Sequence, residues 1–348
     1  MDYIKIYSDF LKKFLEPERK LKVVFDCSNG VAGLILKELF KTNLLINYEL
    51  INHIPDGNFP AHGPNPSKKG ALNDLRSAVL KNKADLGAIF DADADRAFFI
   101  DNRGRFVDPD TIARLLIWHL KPGKIIIDVR TGWLVRKRQV SDVRCQMSDV
   151  RCQVSKVGHL YIKKLMRKIK ADFGAERSGH YYFKISDTNT RIHTNDANKS
   201  ELNKNTLYYD SGILATIETI NAVSRLPYSL ADFNDLLPQY YRSGEINIRD
   251  ANLQIHANAA NNLLKKIERY FKSQNTKYKI LNTNYLDGLT MEFVPSASSG
   301  QAWWFNLRPS NTEPLIRLNV EALTKKTLNN SVKKIVRFLS IINNLIRR

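Results

Sequence analysis

The sequence predicts two consecutive α/β domains with mixed, largely parallel sheets, followed by a C-terminal α+β domain. Apolar, strand-like runs alternate with helix-like segments through the first two thirds of the chain, which is the rhythm of an α/β sheet. The remaining third contains strand-like stretches accompanied by only two helical segments. At 348 residues the chain also exceeds what one hydrophobic core usually spans. We therefore expect domains at residues 1–103, 104–225 and 238–348.

The first domain is predicted from a strand at 21–30 that enters a glycine turn. Its further elements follow the same alternation, with helices at 33–41 and 71–82 and strands at 47–54 and 86–90. Residues 97–108 predict a hairpin that turns at Asn102, Arg103 and Gly104.

The second domain is predicted from a strand at 124–129 and helices at 111–120, 159–171 and 212–224. Within it, SDVRCQM (141–147) is followed at once by SDVRCQV (148–154). Two copies are too few for a solenoid, so we expect an exposed or poorly ordered loop. In the third domain, helices are predicted near 256–272 and 326–346, among antiparallel strands.

Composition limits the functional classes. The formal net charge is +19, but the basic residues are spread along helix faces and no nucleic-acid-binding motif is present. A solvated basic surface or a small anionic substrate is therefore favoured over nucleic acid. No apolar run is long enough to span a membrane, and three cysteines do not suggest a disulfide framework. We expect a cytoplasmic protein with no membrane partner.

An acidic segment, DADADR, follows the apolar strand at 86–90. If the strand continued, Asp91, Asp93 and Asp95 would point to one side, and three converging carboxylates favour a cation such as Mg²⁺. A solvated acidic turn and a phosphatase with an aspartyl nucleophile are the alternatives. An EF-hand is excluded, because its sixth and twelfth positions would be Arg96 and Asn102 instead of Gly and Glu.

Two other segments carry polar groups in compact turns. In ERSGH, Glu176, Ser178 and His180 offer directional hydrogen bonds of the kind that sugar hydroxyls need, although an ordinary polar turn would also fit. In RPSNTEP, a guanidinium, hydroxyl groups and backbone amides favour a phosphate cradle over a plain hairpin turn. Its predicted ligands are Arg308, Ser310, Asn311 and Thr312.

Together, the three segments resemble the α-D-phosphohexomutase family, most closely its bacterial phosphomannomutase/phosphoglucomutase branch. The metal loop of that family, D-G-D-x-D-R, is matched at 91–96, and its sugar loop, G-E-x-S-G-H, is matched at 176–180. Its phosphate loop, R-P-S-N-T-E-P, is present intact at 308–314. The resemblance extends over nearly the whole chain.

The resemblance implies an isomerase that moves a phosphoryl group between the 1- and 6-positions of mannose or glucose phosphate. It implies that Mg²⁺ is held by the three aspartates and that Arg96 steadies the transferring group. Glu176, Ser178 and His180 would contact the sugar, and the 308–312 loop would hold the phosphate that does not react. Arg130 and His159 fall where the family has further ligand or proton-transfer groups.

The sequence departs from the family in two respects. The phosphoserine motif, T-A-S-H-N-P, has no counterpart, since Ser67 follows PDGNFP of the second family domain. We therefore expect the isolated chain to be inactive. It is then a mutase completed by a separate phosphoserine-domain chain, a non-catalytic phosphosugar-binding module, or a truncated gene product. Ala92 and Ala175 also replace family glycines, which would strain the loops if those positions need a positive φ.

Overall fold

The chain folds into two compact units, one formed by 1–154 with 158–238 and the other by 155–157 with 239–348. The computed structural model describes residues 1–136, 150–186, 206–249, 257–273, 278–295, 302–310, 313 and 315–346. Mixed sheets with helices confirm the predicted α/β class. The three domain boundaries stay a prediction.

The first sheet is built from the N-terminal part of the first unit. Its elements are α1 (Tyr3–Lys12), β1 (Leu21–Asp26), α2 (Ala32–Phe40), β2 (Ile46–Ile51), α3 (Asn73–Asn82), β3 (Leu86–Phe90), β4 (Ala97–Asp101) and β5 (Phe106–Val107). The strand order is β2-β1-β3-β4-β5, with β1 parallel to β2 and β3 and the two other pairs antiparallel. All of β3 is buried, which explains its uninterrupted apolar run.

A second sheet completes this unit. Its elements are α4 (Pro109–Leu120), β6 (Lys124–Asp128), α5 (Trp133–Arg136), β7 (Arg151–Ser155), α6 (His159–Ile169), β8 (Phe173–Ala175), β9 (Tyr181–Ile185), β10 (Leu207–Asp210), α7 (Gly212–Arg225) and α8 (Leu230–Leu236). The order is β10-β9-β8-β6-β7, with β6 and β8 parallel and β9 antiparallel to both its neighbours. The carboxyl ends of β6 and β8 therefore lie at the same edge.

The prediction of a loop for the whole repeat, 141–154, is wrong at its end. Arg151–Ser155 forms β7 at the edge of the second sheet, where the Arg151 N–H donates to the Gly123 carbonyl at 2.9 Å. An edge strand needs only one partner and can expose alternate side chains, so its sequence looks like that of a polar loop. Residues 141–149 lie outside the described part of the chain.

The second unit contains one antiparallel sheet. Its elements are β11 (Tyr241–Arg249), α9 (Ala257–Ser273), β12 (Tyr278–Asn284), β13 (Leu289–Pro295), β14 (Trp303–Pro309), β15 (Leu315–Ala322) and α10 (Lys325–Ile346), in the strand order β11-β15-β14-β13-β12. Its core centres on aromatic rings, with Phe293 and Trp303 stacked at 4.2 Å and Phe271 of α9 packed against both. Among the described residues of either unit, no helix has the length and apolar character needed to cross a bilayer.

A buried ion pair anchors the loop that follows β2. The His62 Nε2 lies 3.1 Å from Asp26, whose carboxylate also accepts hydrogen bonds from the Ser28 N–H and the Asn52 side chain. The His62 Nδ1 lies 3.0 Å from the carbonyl of Gly63. Because both ring nitrogens face acceptors, the geometry favours imidazolium, and the Asp26 hydrogen bond raises the pKa of His62.

The substitution Asp26→Asn is expected to lower the pKa of His62, because it removes the carboxylate that favours the charged ring. Titration of the His62 ring by NMR measures this. Because the folded-state pKa of His62 is raised, its ion pair with Asp26 adds fully to the free energy of unfolding below the unfolded-state pKa. That contribution is lost as pH rises through the folded-state pKa. Asp74→Asn is the control, since Asp74 makes the smallest contribution to the shift. An unchanged pKa in Asp26→Asn would contradict the assignment.

Candidate functional site

The acidic loop forms a tight turn instead of an extended strand. β3 ends at Phe90, and Ala94 has a φ of 61°, so the extrapolation of strand geometry through residue 95 is wrong. The turn nevertheless brings one carboxylate oxygen each of Asp91, Asp93 and Asp95 to within 4.8 Å of one another. Three hard oxygen donors this close are suited to a divalent cation.

The electrostatics of this loop show incomplete charge compensation. The Arg96 side chain and backbone both donate to Asp91, which is 3% exposed. Burial raises the pKa of Asp95 to about 6, with the charges of Asp91 and Asp93 adding to the rise and His180 opposing it. Burial and the two neighbouring carboxylates thus disfavour the ionised form of Asp95.

Two glycines hold the acidic loop from either side. The Ala92 carbonyl accepts the Val31 N–H at 3.0 Å, and the Ala94 carbonyl accepts the Gly212 N–H at 3.0 Å. A Cβ on Gly30 would lie 2.4 Å from the Ala92 oxygen, and one on Gly212 would lie 2.5 Å from the carbonyl oxygen of residue 96. Only glycine permits these approaches without displacing backbone.

The alanines that replace family glycines are not the strained positions. Neither Ala92 nor Ala175 has a positive φ, and Ala175 lies within β8. The left-handed residue is Ala94, where an L-residue costs about 1 kcal/mol. The strain therefore falls at the variable position of the loop, between the second and third aspartates.

The ERSGH turn is joined to the acidic loop through the backbone. The Ala97 N–H donates to the Gly179 carbonyl at 3.0 Å, and Arg96 and His180 form a bridge of the antiparallel type. Gly179 has a φ of 87°, and a Cβ there would lie 2.9 Å from the ring of Phe98. The acidic loop and the ERSGH turn are therefore fixed relative to each other within one unit.

Glu176 is more deeply buried than a freely exposed sugar ligand would be. It is 3% exposed, and its oxygens accept hydrogen bonds from the Gly158 N–H at 2.6 Å and the Tyr182 hydroxyl at 2.8 Å. Ser178 is half-buried and its Oγ lies 3.3 Å from the Arg130 guanidinium. The predicted sugar-binding roles of Glu176 and Ser178 stay predictions.

His180 lies between two carboxylates. Its Nδ1 is 3.6 Å from Asp95 and 3.4 Å from Asp210, and Asp210 also pairs with the Lys163 ammonium at 2.7 Å. Burial lowers the pKa of His180, but Asp210 and Asp95 outweigh burial and raise it. Burial likewise disfavours the Asp210 carboxylate, yet His180 and Lys163 hold its pKa well below the usual range.

Asp210 and Lys163 were not among the predicted site residues. The available signal was local: Asp210 directly precedes Ser211, whose hydroxyl accepts the Leu214 N–H and caps α7. A polar pair at the start of an apolar helix predicts a cap, but it does not reveal that the aspartate faces a histidine of the ERSGH turn.

Arg130 and His159 lie beside the ERSGH turn. Arg130 pairs with Asp128 at 2.7 Å, at the carboxyl end of β6. His159 is exposed at the first residue of α6, directly after the glycine that donates to Glu176. Arg177, between the predicted sugar ligands, is held by a two-bond pair with Asp108.

The RPSNTEP segment belongs to the second unit. Arg308, at the end of β14, is 6% exposed and donates to Glu245 at 2.9 Å. The Ser310 N–H donates to the Leu315 carbonyl at 2.8 Å, and its hydroxyl lies 3.3 Å from a nitrogen of Arg317. Asn311 and Thr312 lie outside the described residues.

Family models and relatives match the chain over nearly its whole length. Models of the phosphoglucomutase/phosphomannomutase family match as alpha/beta/alpha domain II at 2–104, alpha/beta/alpha domain III at 108–240 and the C-terminal domain at 245–338. The phosphomannomutase of Methanocaldococcus jannaschii is 33% identical over 330 residues, which cover 94% of this chain and 62% of that protein. The chain spans about three-fifths of the length of the curated relatives it matches.

Solved structures show the same fold. A phosphoglucomutase/phosphomannomutase family protein from Burkholderia thailandensis has a TM-score of 0.73 at 23% identity, covering 98% of this chain and 64% of its own. The N-acetylphosphoglucosamine mutase of Aspergillus fumigatus, solved with GlcNAc-6P and magnesium, has a TM-score of 0.63 at 14% identity, covering 96% and 69%. Given the three matched domain models and these relatives, the chain belongs to the phosphoglucomutase/phosphomannomutase family.

Proposed function

We propose that this chain supplies the metal-, sugar- and phosphate-binding parts of a phosphohexomutase. The reaction would move a phosphoryl group between the 1- and 6-positions of mannose or glucose phosphate. The proposal rests on the backbone hydrogen bond from Ala97 to Gly179, which joins the acidic loop to the ERSGH turn. A mutase needs its metal and its sugar hydroxyls at a fixed separation, because phosphoryl transfer depends chiefly on positioning.

The acidic loop fits Mg²⁺ by its donor set. Asp91, Asp93 and Asp95 would hold the ion. Burial raises the pKa of Asp95, the charges of Asp91 and Asp93 add to the rise, and a bound cation would favour the ionised carboxylate. When bound, Mg²⁺ would offset negative charge on the transferring phosphoryl group. Arg96, which is already oriented by Asp91, would steady the same group.

The sugar and its second phosphate would be held by the other two segments. We assign the sugar hydroxyls to Ser178 and Glu176, with His180 and His159 as proton-transfer or contact groups and Arg130 beside them. Arg308 and Ser310, with Asn311 and Thr312, would hold the phosphate that does not react. A protein with three cysteines and small phosphorylated substrates fits the cytoplasm.

A phosphoserine donor is the part that these 348 residues do not provide. Their sequence contains no T-A-S-H-N-P motif, so we propose that the phosphoserine comes from polypeptide outside them. Without it, the chain would bind hexose phosphate and Mg²⁺ but would not turn over. The same observation favours a second candidate, a non-catalytic phosphosugar-binding module.

Substitution of Gly30 by Ala is expected to weaken Mg²⁺ binding, because the added Cβ would push against the backbone of Ala92. We expect the dissociation constant, measured by calorimetry, to rise about tenfold, which corresponds to roughly 1.4 kcal/mol. Gly57→Ala is the matched control, since nothing lies within 4 Å of a Cβ there. Equal affinities in the two variants would show that the glycine contact does not hold the loop.

Turnover is expected to require a phosphoserine from outside these 348 residues. The purified 348-residue chain, given Mg²⁺, glucose 1-phosphate and a bisphosphate activator, is expected to form no glucose 6-phosphate. A fusion to the N-terminal segment of the Methanocaldococcus jannaschii relative is expected to form it, and the same fusion carrying Asp93→Asn is the control. Turnover by the chain alone would contradict the need for an outside phosphoserine. A fusion that binds hexose phosphate without turnover would favour the binding module.

A further inference from the structure

Two arginines of the second unit lie directly opposite each other. Arg308 on β14 and Arg317 on β15 are register partners across the antiparallel pair. Their side chains are largely buried, at 7% and 26% exposure. Like charges at opposed positions of a sheet repel, so this pair needs a counter-charge to stay in place.

Glu245 supplies that counter-charge to both arginines. One oxygen of its carboxylate accepts from Arg308 at 2.9 Å, and the other accepts from Arg317 at 3.2 Å. The bridge depends on a bulge in β11, where the register shifts between Arg242 and Glu245 and Gly244 has a φ of 67°. A bulge re-aims the side chain that follows it, here toward the two guanidinium groups.

The bridged arginines retain donors that could take a ligand. The Nε atoms of Arg308 and Arg317 are buried and have no hydrogen-bond partner among the described residues. A terminal nitrogen of Arg317 lies 3.3 Å from the Ser310 hydroxyl, so this arginine contacts the RPSNTEP segment. Buried guanidinium donors are suited to the oxygens of a phosphate group.

We propose that Glu245 is a positioning residue for the phosphate site, holding Arg308 and Arg317 as a preformed pair. The inference rests on the proposed function, because it assumes that a phosphate group binds at this turn. Glu245 does not contact the ligand; it fixes the two side chains that do. Because the two arginine side chains are already ordered before the anion binds, binding costs less side-chain conformational entropy.

A positioning role and a purely electrostatic role of Glu245 predict opposite changes in anion affinity when its charge is removed. If Glu245 acted only as a nearby negative charge, its removal would strengthen anion binding. If it positions the arginines, Glu245→Gln weakens the binding of phosphate and of glucose 1-phosphate by about tenfold, since two long side chains must be ordered on binding. Calorimetry on the full 348-residue chain measures both ligands.

Glu268→Gln is the matched control, because it also removes one carboxylate from the second unit. Glu268 lies on α9 and pairs with Lys272 at 2.8 Å, and it contacts neither Arg308 nor Arg317 in the described contacts. Its loss is expected to leave phosphate affinity within about twofold, as is usual for an ion pair at the surface. Glu245→Asp keeps the charge but shortens the reach, so it is expected to weaken binding as well.

The arginine side chains give a second readout. In NMR spectra, the Nε–H signals of Arg308 and Arg317 are expected to broaden together in Glu245→Gln, whereas Glu268→Gln leaves both signals sharp. Phosphate binding by Glu245→Gln that equals or exceeds that of the wild type would overturn the positioning role alone. A wild-type chain that binds neither ligand would overturn the proposed phosphate site and this inference with it.

Discussion

The close backbone approach at Gly30 and Gly212 is the constraint on which the candidate metal site depends. The loop between β3 and β4 carries three carboxylates and a left-handed alanine, and both features oppose its observed shape. The Val31 N–H, next to Gly30, holds the carbonyl of Ala92, and the Gly212 N–H holds that of Ala94. A side chain at either glycine would move the carbonyls and, with them, the carboxylates.

The acidic loop also fixes the position of the ERSGH turn. The N–H of Ala97, the first residue of β4, donates to the Gly179 carbonyl, so a backbone hydrogen bond joins the two segments. His180 then lies between Asp95 and Asp210, where its charge offsets part of the crowding. The second unit uses a related principle, because like-charged arginines are held together by one group of opposite charge. In both cases, residues that repel one another are kept close, and a ligand of the opposite charge would relieve that repulsion.

The elements that the sequence predicted well are those whose signal is local. Buried runs such as 86–90 predict strands because parallel strands are covered on both faces. The prediction failed for Arg151–Ser155, since a half-exposed edge strand has the composition of a loop. The pairing of Asp210 with His180 and the bridge formed by Glu245 were also missed. Both join segments that are distant in the sequence, and the spacing of residues along one segment carries no information about such a partner.

We propose that the acidic loop has the shape needed for a divalent cation before the ion binds. Anomalous diffraction from crystals of the 348-residue chain soaked with Mn²⁺, a substitute for Mg²⁺, would locate the bound ion. We expect one strong peak bonded to oxygens of Asp91, Asp93 and Asp95, with the loop unchanged in backbone shape. Mn²⁺ bound elsewhere with none at these carboxylates, or bound only after the Ala92 and Ala94 carbonyls have left their partners, would contradict it.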